Sequence, residues 1–230
     1  MAAIFKKKDS GNLLMAIKIT DTFRHQGMRK KLCDELRAKG IVSTDVLQAI
    51  NAIPRHMFMD KAFLEFAYQD KAFPIGAGQT ISQPYTVAYQ TQMLEIKRGE
   101  KVLEIGTGSG FQTCVLCKMG ARVYSVERQR ELYDYTPKLI EALGYSPKLF
   151  YGDGFKGEPM FAPYDKIIVT CGAPNIPKAL IDQLKPGGRM IIPVGMDDQI
   201  MTLVVKDMDG KITSSEFEKF RFVPMLPDKS

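Results

Sequence analysis

Lys101-Val102-Leu103-Glu104-Ile105-Gly106-Thr107-Gly108-Ser109-Gly110-Phe111 is the stretch that sets the fold. Lys101 to Ile105 is a short, largely apolar run of the kind found in a buried strand. Three glycines follow, and a helical apolar pattern begins at Ser109 and runs to Met119. A strand that ends in a glycine turn and feeds a helix is the opening unit of an open α/β sheet. In such sheets, ligands bind at the carboxyl ends of the strands. Glycines at that edge let backbone approach a ligand closely. Dinucleotide folds place a third glycine five residues after the first, and Phe111 stands there instead. The G-x-G-x-G spacing suits a ligand without a pyrophosphate and disfavours a nicotinamide dehydrogenase.

Downstream, strands and helices alternate. Strands are expected over 122–127, 148–151, 166–170 and 189–194, with helices over 129–143 and 176–184. Pro137 kinks or interrupts the first of these helices. Two closing strands, 200–205 and 217–223, have no helix between them, so one should be antiparallel. The expected architecture is a doubly wound, mainly parallel seven-stranded sheet with helices on both faces. Upstream, 21–39 reads as an amphipathic helix with Phe23, Met28, Leu32 and Leu36 on or near one face. A second helix over 43–53 stops at Pro54, and 58–66 is a short third. The Gly- and Pro-rich stretch 73–84 reads as a loop, followed by a helix to about residue 96. The chain thus divides into an extension (1–20), a helical region with a substrate loop (21–98) and a Rossmann-like core (99–230), the last two forming one integrated domain.

Composition excludes several classes. Hydrophobic residues make up 45% and charged residues 25% of 230, the balance of a folded globular protein. No apolar run approaches the roughly 18 residues that span a bilayer, and no cleavage site follows an apolar segment. The expectation is a cytoplasmic protein without membrane contact. The net charge of +6 arises entirely before residue 32, from eight Lys or Arg against two acidic residues. The rest is neutral, so no basic face for nucleic acid is expected. Cys114 and Cys117 form a C-x-x-C. They fall in an apolar helical pattern, and with two histidines in the chain they read as buried thiols rather than metal ligands.

Two more carbonyl-end features join the glycine turn. Glu127 ends the second core strand, where a carboxylate can accept from ribose hydroxyls; it also reads as a surface residue that starts a helix. Gly152-Asp153-Gly154 follows the third strand. Asp153 could accept from an adenine amino group beside Gly154, and the triplet also reads as a simple turn. Together with the glycines, they point to an adenosyl ligand. Gly78-Gln79-Thr80-Ile81-Ser82-Gln83-Pro84 precedes a helix. Ser82 there reads equally as a helix cap or as part of an anion site at the helix N-terminus.

G-Q-T-I-S-x-P (78–84), V-L-E-I-G-T-G-S-G-F (102–111), G-D-G (152–154), A-P-Y-D-K-I-I-V-T (162–170), Q-L-K-P-G-G-R (183–189) and P-V-G (193–195) resemble the protein-L-isoaspartate (D-aspartate) O-methyltransferases. V-L-x-A-I and P-R-H-M-F in the first helices match as well, and the resemblance covers residues 21 to 226. The glycine motif is common among methyltransferases; the first and the last two segments are the specific ones. The resemblance implies S-adenosyl-L-methionine as cofactor, with S-adenosyl-L-homocysteine as product. It implies isoaspartyl-bearing proteins and peptides as substrates, D-aspartyl residues among them, and a monomer. It makes Ser82 the active-site serine, with Thr80 and Ile81 lining the methionine end. Glu104 and the loop Gly106, Thr107, Gly108, Ser109 and Gly110 would hold the amino-acid portion. Glu127 would take the ribose, and Asp153 with Gly154 the adenine. Tyr85, Phe222 and Val223 would lie along the substrate. Tyr85 stands where relatives often have His, and Cys171-Gly172 where alanines are usual. A methyltransferase of a small carboxylate or amine shares the cofactor features but has no need of G-Q-T-I-S-Q-P. A non-catalytic binding module would show a degraded glycine loop or lack the acid, and both are intact.

Overall fold

A computed structural model describes residues 20–230. The expected extension lies, apart from Thr20, outside the described residues. The first helix, α1 (Phe23–Ala38), starts at Thr22, whose hydroxyl accepts from the His25 N–H while the His25 ring accepts from the Thr22 N–H. This reciprocal pair satisfies two otherwise free N-terminal donors. Leu32, Cys33 and Leu36 face inward. Phe23 does not join them: at the first helical position it is 91% exposed. The inward face instead takes Arg29, whose guanidinium meets Asp21 at 2.9 Å and the Tyr68 hydroxyl at 3.2 Å. The second helix, α2 (Thr44–Ala52), is capped by Ser43 and buries Val46, Leu47, Ala49 and Ile50. In place of a third α-helix, two 3-10 turns cover Arg55–Phe58 and Lys61–Phe66.

The stretch expected as a loop contains a hairpin. Strand β1 (Phe73–Gly76) pairs antiparallel with β2 (Gln79–Ile81), in the register Phe73 to Ile81 and Gly76 to Gln79. The two linking residues, Ala77 and Gly78, both have positive φ, 48° and 67°, as a type I′ hairpin turn requires. Pro74 and an Ala where Asn or Asp is usual hid the strand signal. Helix α3 (Pro84–Leu94) follows.

The core sheet is built from β3 (Lys101–Ile105), β4 (Arg122–Glu127), β5 (Lys148–Tyr151), β6 (Tyr164–Val169), β7 (Leu184–Val194), β8 (Gln199–Lys206) and β9 (Ile212–Phe220). Their spatial order is β5-β4-β3-β6-β7-β8-β9. Pairing is parallel from β5 through β7, and β8 is antiparallel to both neighbours. β9 lies earlier than expected, because the chain leaves the sheet at Arg221, and residues 222–223 lie outside any strand. Helices α4 (Phe111–Lys118), α5 (Arg130–Ala142, running through Pro137) and α6 (Lys178–Gln183) connect the parallel strands. One apolar cluster joins α1 and α2 to α3, α4 and α5 through residues such as Leu36, Ile50, Val87, Phe111 and Leu139. The helical region therefore packs on the core sheet's helix layer.

After β3 the chain winds first toward β4 and β5, then returns to β6 on the other side. The switch point of this doubly wound sheet lies between the carboxyl ends of β3 and β6. A crevice opens there because the connecting helices diverge to opposite faces.

Candidate active site

The glycine turn is held from three directions. Glu127, at the end of β4, is 5% exposed. One of its carboxylate oxygens accepts from Gly108 N–H and the other from Gln129 N–H, each at 2.8 Å. Burial raises its pKa, and these backbone donors oppose the rise. Thr170, just past β6, places its hydroxyl 2.7 Å from the Gly106 carbonyl and 2.9 Å from that of Ile105. Thr136 on α5 donates to the Gly108 carbonyl at 2.8 Å. Gly110 serves the fold rather than the cleft. It opens α4 at φ 87°, and a Cβ there would fall 2.8 Å from the Thr136 methyl and 2.9 Å from Ile140, a conformation and a space that suit only glycine.

Ser82 follows β2. Gln83, not Ser82, occupies the cap position of α3, and it makes no side-chain capping bond. The cap comes from afar. Asp70 accepts the Tyr85 N–H at 2.7 Å and the Gln83 side-chain amide at 3.1 Å, and pairs with Lys39 at 2.6 Å. The α3 N-terminus, read in sequence equally as an end capped by Ser82 or as a place for an exogenous anion, is instead met by the protein's own Asp70 carboxylate. The Ser82 hydroxyl makes no hydrogen bond among the described residues. It borders two cavities at once.

The first cavity, about 800 Å³, sits at the switch point. Thr80, Ile81 and Ser82 form one wall, and Gly106, Thr107, Gly108 and Ser109 the floor. Glu127, Gly154 and Val223 complete the predicted residues in it. The second is an open groove of about 1190 Å³ that contains Tyr85 and Phe222. Thr80, Ser82, Thr170 and Val223 line both, so the cavities meet at the serine. Tyr85, Tyr89 and Phe220 form an aromatic wall, with ring centroids 5.3 to 6.3 Å apart. Phe222-Val223-Pro224 is fixed by a parallel bridge from Pro224 to Gly172 and by the Val223 carbonyl accepting from Gly172 N–H at 2.9 Å.

Glu104, Gly110 and Asp153 line neither cavity. Asp153 caps its own turn, accepting from Phe155 N–H at 2.9 Å with Lys156 3.4 Å away. Glu104 lies fully buried behind the glycine loop, where Thr113 donates to it at 2.6 Å. Burial pushes its carboxyl up to about 8, with the Thr113 bond opposing. The folded protein therefore keeps a proton that the unfolded chain releases near the ordinary value of 4.5. Stability should fall as pH rises from about 4.5 to about 8 and level off beyond, by about 1.4 kcal/mol per unit. Glu104→Gln abolishes this titration. In melts of ligand-free protein across that range, the Tm difference should move in favour of the variant by roughly 3–6 °C per pH unit. A difference independent of pH would mean that Glu104 is already ionised.

Sequence reading passed over Asp70, Thr170 and Gln112. Asp70 sits in a polar stretch without a motif. Thr170 reads as the end of a strand, and Gln112 as an ordinary helix residue. The four cysteines are free; burial pushes Cys117 up to about 12 and Cys114 higher still, so neither thiol is reactive. Asp21, His25 and His56 bring ligand atoms within 4.8 Å of one another. Both Asp21 oxygens, however, are held by Arg29, and both His56 nitrogens by Tyr68 and Thr20. The group is a hydrogen-bonded latch at the start of α1.

The family model of the protein-L-isoaspartate(D-aspartate) O-methyltransferases matches residues 27–230. The chain belongs to this family. Among its relatives, a protein-L-isoaspartate O-methyltransferase of Christiangramia forsetii is 61% identical over 211 residues, covering 91% of this chain and 99% of that protein. One from Flavobacterium psychrophilum is 58% identical over the same shares. A solved protein-L-isoaspartate O-methyltransferase structure superposes with a TM-score of 0.78 at 33% identity, over 85% of this chain and 65% of that one. A putative isoaspartate methyltransferase from Plasmodium falciparum, in complex with S-adenosyl-L-homocysteine, shares the fold with a TM-score of 0.74 at 24% identity, over 86% and 98% of the two chains. The glycine-floored cleft and the aromatic groove share Thr80, Ser82, Thr170 and Val223 as lining residues.

Proposed function

We infer that this chain is a protein repair methyltransferase. It transfers the methyl group of S-adenosyl-L-methionine to the α-carboxylate of L-isoaspartyl residues in damaged proteins, giving a methyl ester and S-adenosyl-L-homocysteine. The observation that carries this reading is the junction of cleft and groove at an uncommitted Ser82 hydroxyl, in a chain of this family. D-aspartyl residues are the second substrate class, as the family's description suggests. The enzyme acts as a cytoplasmic monomer without nucleic acid, with residues 21–230 as one working unit; no described helix is long and apolar enough to cross a membrane.

The residues present fit the cofactor. Each Glu127 oxygen accepts one backbone N–H and keeps lone-pair capacity for a ribose hydroxyl. The loop from Gly106 to Ser109 presents backbone to the amino-acid portion, with Glu104 behind it. Gly154 and Asp153 flank the adenine end, Gly154 at the wall and Asp153 through the turn it caps. When bound, S-adenosylmethionine supplies an electrophilic methyl group on a sulfonium.

The protein's task is then alignment. A carboxylate is ionised at neutral pH, since its reference pKa is near 4, and no general base is required. Ser82 donates one hydrogen bond to the carboxylate and orients it. With the α3 N-terminus occupied by Asp70, no helix dipole over-stabilises the incoming anion, and its nucleophilicity is kept. Thr80 and Ile81 shield the junction from water. Tyr85, Phe222 and Val223 hold the flanking peptide. Such positioning contributes roughly 7–11 kcal/mol in favourable systems.

The deciding experiment is labelled methyl transfer to matched peptides that differ only in an isoaspartyl or an aspartyl linkage. Label should enter the isoaspartyl peptide as a base-labile ester and be near background in its partner. Equal labelling of both peptides, or efficient labelling of a free small carboxylate in preference to either, would overturn the assignment.

A further inference from the structure

We propose that the side-chain carbonyl of Gln112 accepts a hydrogen bond from the α-ammonium group of the bound cofactor; this rests on the methyltransferase reading above. Gln112 is the second residue of α4, is 7% exposed, and lines the cleft. Its orientation follows from its neighbours. Thr91 on α3 places its hydroxyl 2.7 Å from the Val87 carbonyl, which can only accept, so the one hydroxyl proton of Thr91 is directed there. The Thr91 oxygen must then accept from Gln112, and the Gln112 amide nitrogen stands 3.0 Å from it. The NH₂ end therefore points to α3, and the carbonyl end is fixed the other way.

That carbonyl oxygen has no partner among the described residues. Buried amide carbonyls are almost always bonded, and an orphan asks for a donor from outside. The other buried side-chain acceptor without a partner among the described residues is Glu104 Oε1, and Glu104 lines neither the cleft nor the groove. Gln112 is thus the cleft-lining residue that carries a buried, unpartnered acceptor, enclosed just behind the cleft wall. Of the cations nearby, Arg128 is committed to the carbonyls of Asp228 and Pro227.

Topology then selects the ligand group. Glu127 lies at the end of β4, on one side of β3. Gln112 opens α4 beside α3, which its NH₂ end meets at Thr91 and which packs over β6 and β7 on the other side. A ligand with its ribose at Glu127 extends its amino-acid tail across the glycine floor toward Gln112. A carbonyl oxygen cannot donate, so of the two charged groups on that tail it takes the ammonium and not the carboxylate.

Calorimetric titration with S-adenosylhomocysteine, and with its analogue lacking the α-amino group, tests this. Gln112→Met keeps the length and removes the acceptor. It should weaken S-adenosylhomocysteine binding by roughly 10-fold or more and leave the analogue's affinity within about twofold, since that ligand has no ammonium to lose. Gln112→Glu, which keeps an acceptor, should retain most of the affinity for S-adenosylhomocysteine. Equal weakening of both ligands by Gln112→Met, or a lowered Tm with unchanged affinity for both, would make Gln112 a packing residue and overturn the proposal alone. Failure of the wild-type protein to bind S-adenosylhomocysteine would overturn the methyltransferase reading and the proposal with it.

Discussion

Ser82→Ala lowers kcat on an isoaspartyl peptide by about 100-fold or more, in line with the loss of one preorganised donor at a reacting oxygen, while the Kd for S-adenosylhomocysteine stays within about twofold. The split follows from where the serine stands. Ser82 lines both the proposed cofactor cleft and the proposed peptide groove, yet its hydroxyl is tied to nothing among the described residues and caps no helix. Removing it therefore leaves α3 and the hairpin standing: the Asp70 clamp on Tyr85 and Gln83 is untouched. What is lost is the group that orients the carboxylate along the line of transfer. Steady-state kinetics with saturating cofactor, beside calorimetry on the same preparation, would read the two numbers. An unchanged kcat would remove Ser82 from the mechanism, and a cofactor affinity that fell in step with the rate would reassign it to the cleft.

Glu127→Ala should raise the Kd for S-adenosylhomocysteine by about 100-fold, because hydrogen bonds to a charged partner are worth roughly 1.5–3 kcal/mol each and two effects combine. The ribose loses its acceptors. The Gly108 N–H, held at 2.8 Å by the same carboxylate, loses its anchor, so the floor of the cleft loosens as well. Glu127→Gln should be almost as damaging, since an amide presents a donor to one of two backbone N–H groups that require acceptors. Binding should also weaken as pH falls through the raised pKa of this carboxyl, because the ionised form is the one its backbone donors hold. Calorimetry at several pH values checks both statements. A variant that binds as tightly as the wild type would place the ribose elsewhere. At saturating cofactor, kcat of Glu127→Ala should change far less than Kd, the reverse of the Ser82 pattern.

Local rules carried most of the fold. The alternation after Lys101, the glycine turn and the missing helix between the last strands are visible because their periods and turn residues lie within a few positions of one another. The hairpin at 73–81 escaped because Pro74 and Ala77 disguise a turn whose left-handed pair is unmistakable only in the backbone angles. Phe23 illustrates the opposite error: an apolar residue near the right phase of α1 still ends in solvent, where the first turn projects beyond its neighbours.

At the site, the divide runs along sequence separation. Ser82, Glu127 and the glycines announce themselves through short motifs, since the chemistry needs those residue types at fixed local offsets. Asp70 reaches Tyr85 across 15 residues, Gln112 meets Thr91 across 21, and Thr170 closes on Gly106 across 64. Hydrogen bonds of this kind depend on where the folded layers place two side chains, and no pattern along the chain encodes that placement. The sequence by itself determined which residue types are available to the proposed reaction. Tertiary packing decided which helix end was already filled by the protein's own carboxylate and which buried carbonyl beside the cleft was left without a partner, because hydrogen-bond satisfaction in a buried site is settled only when distant segments meet.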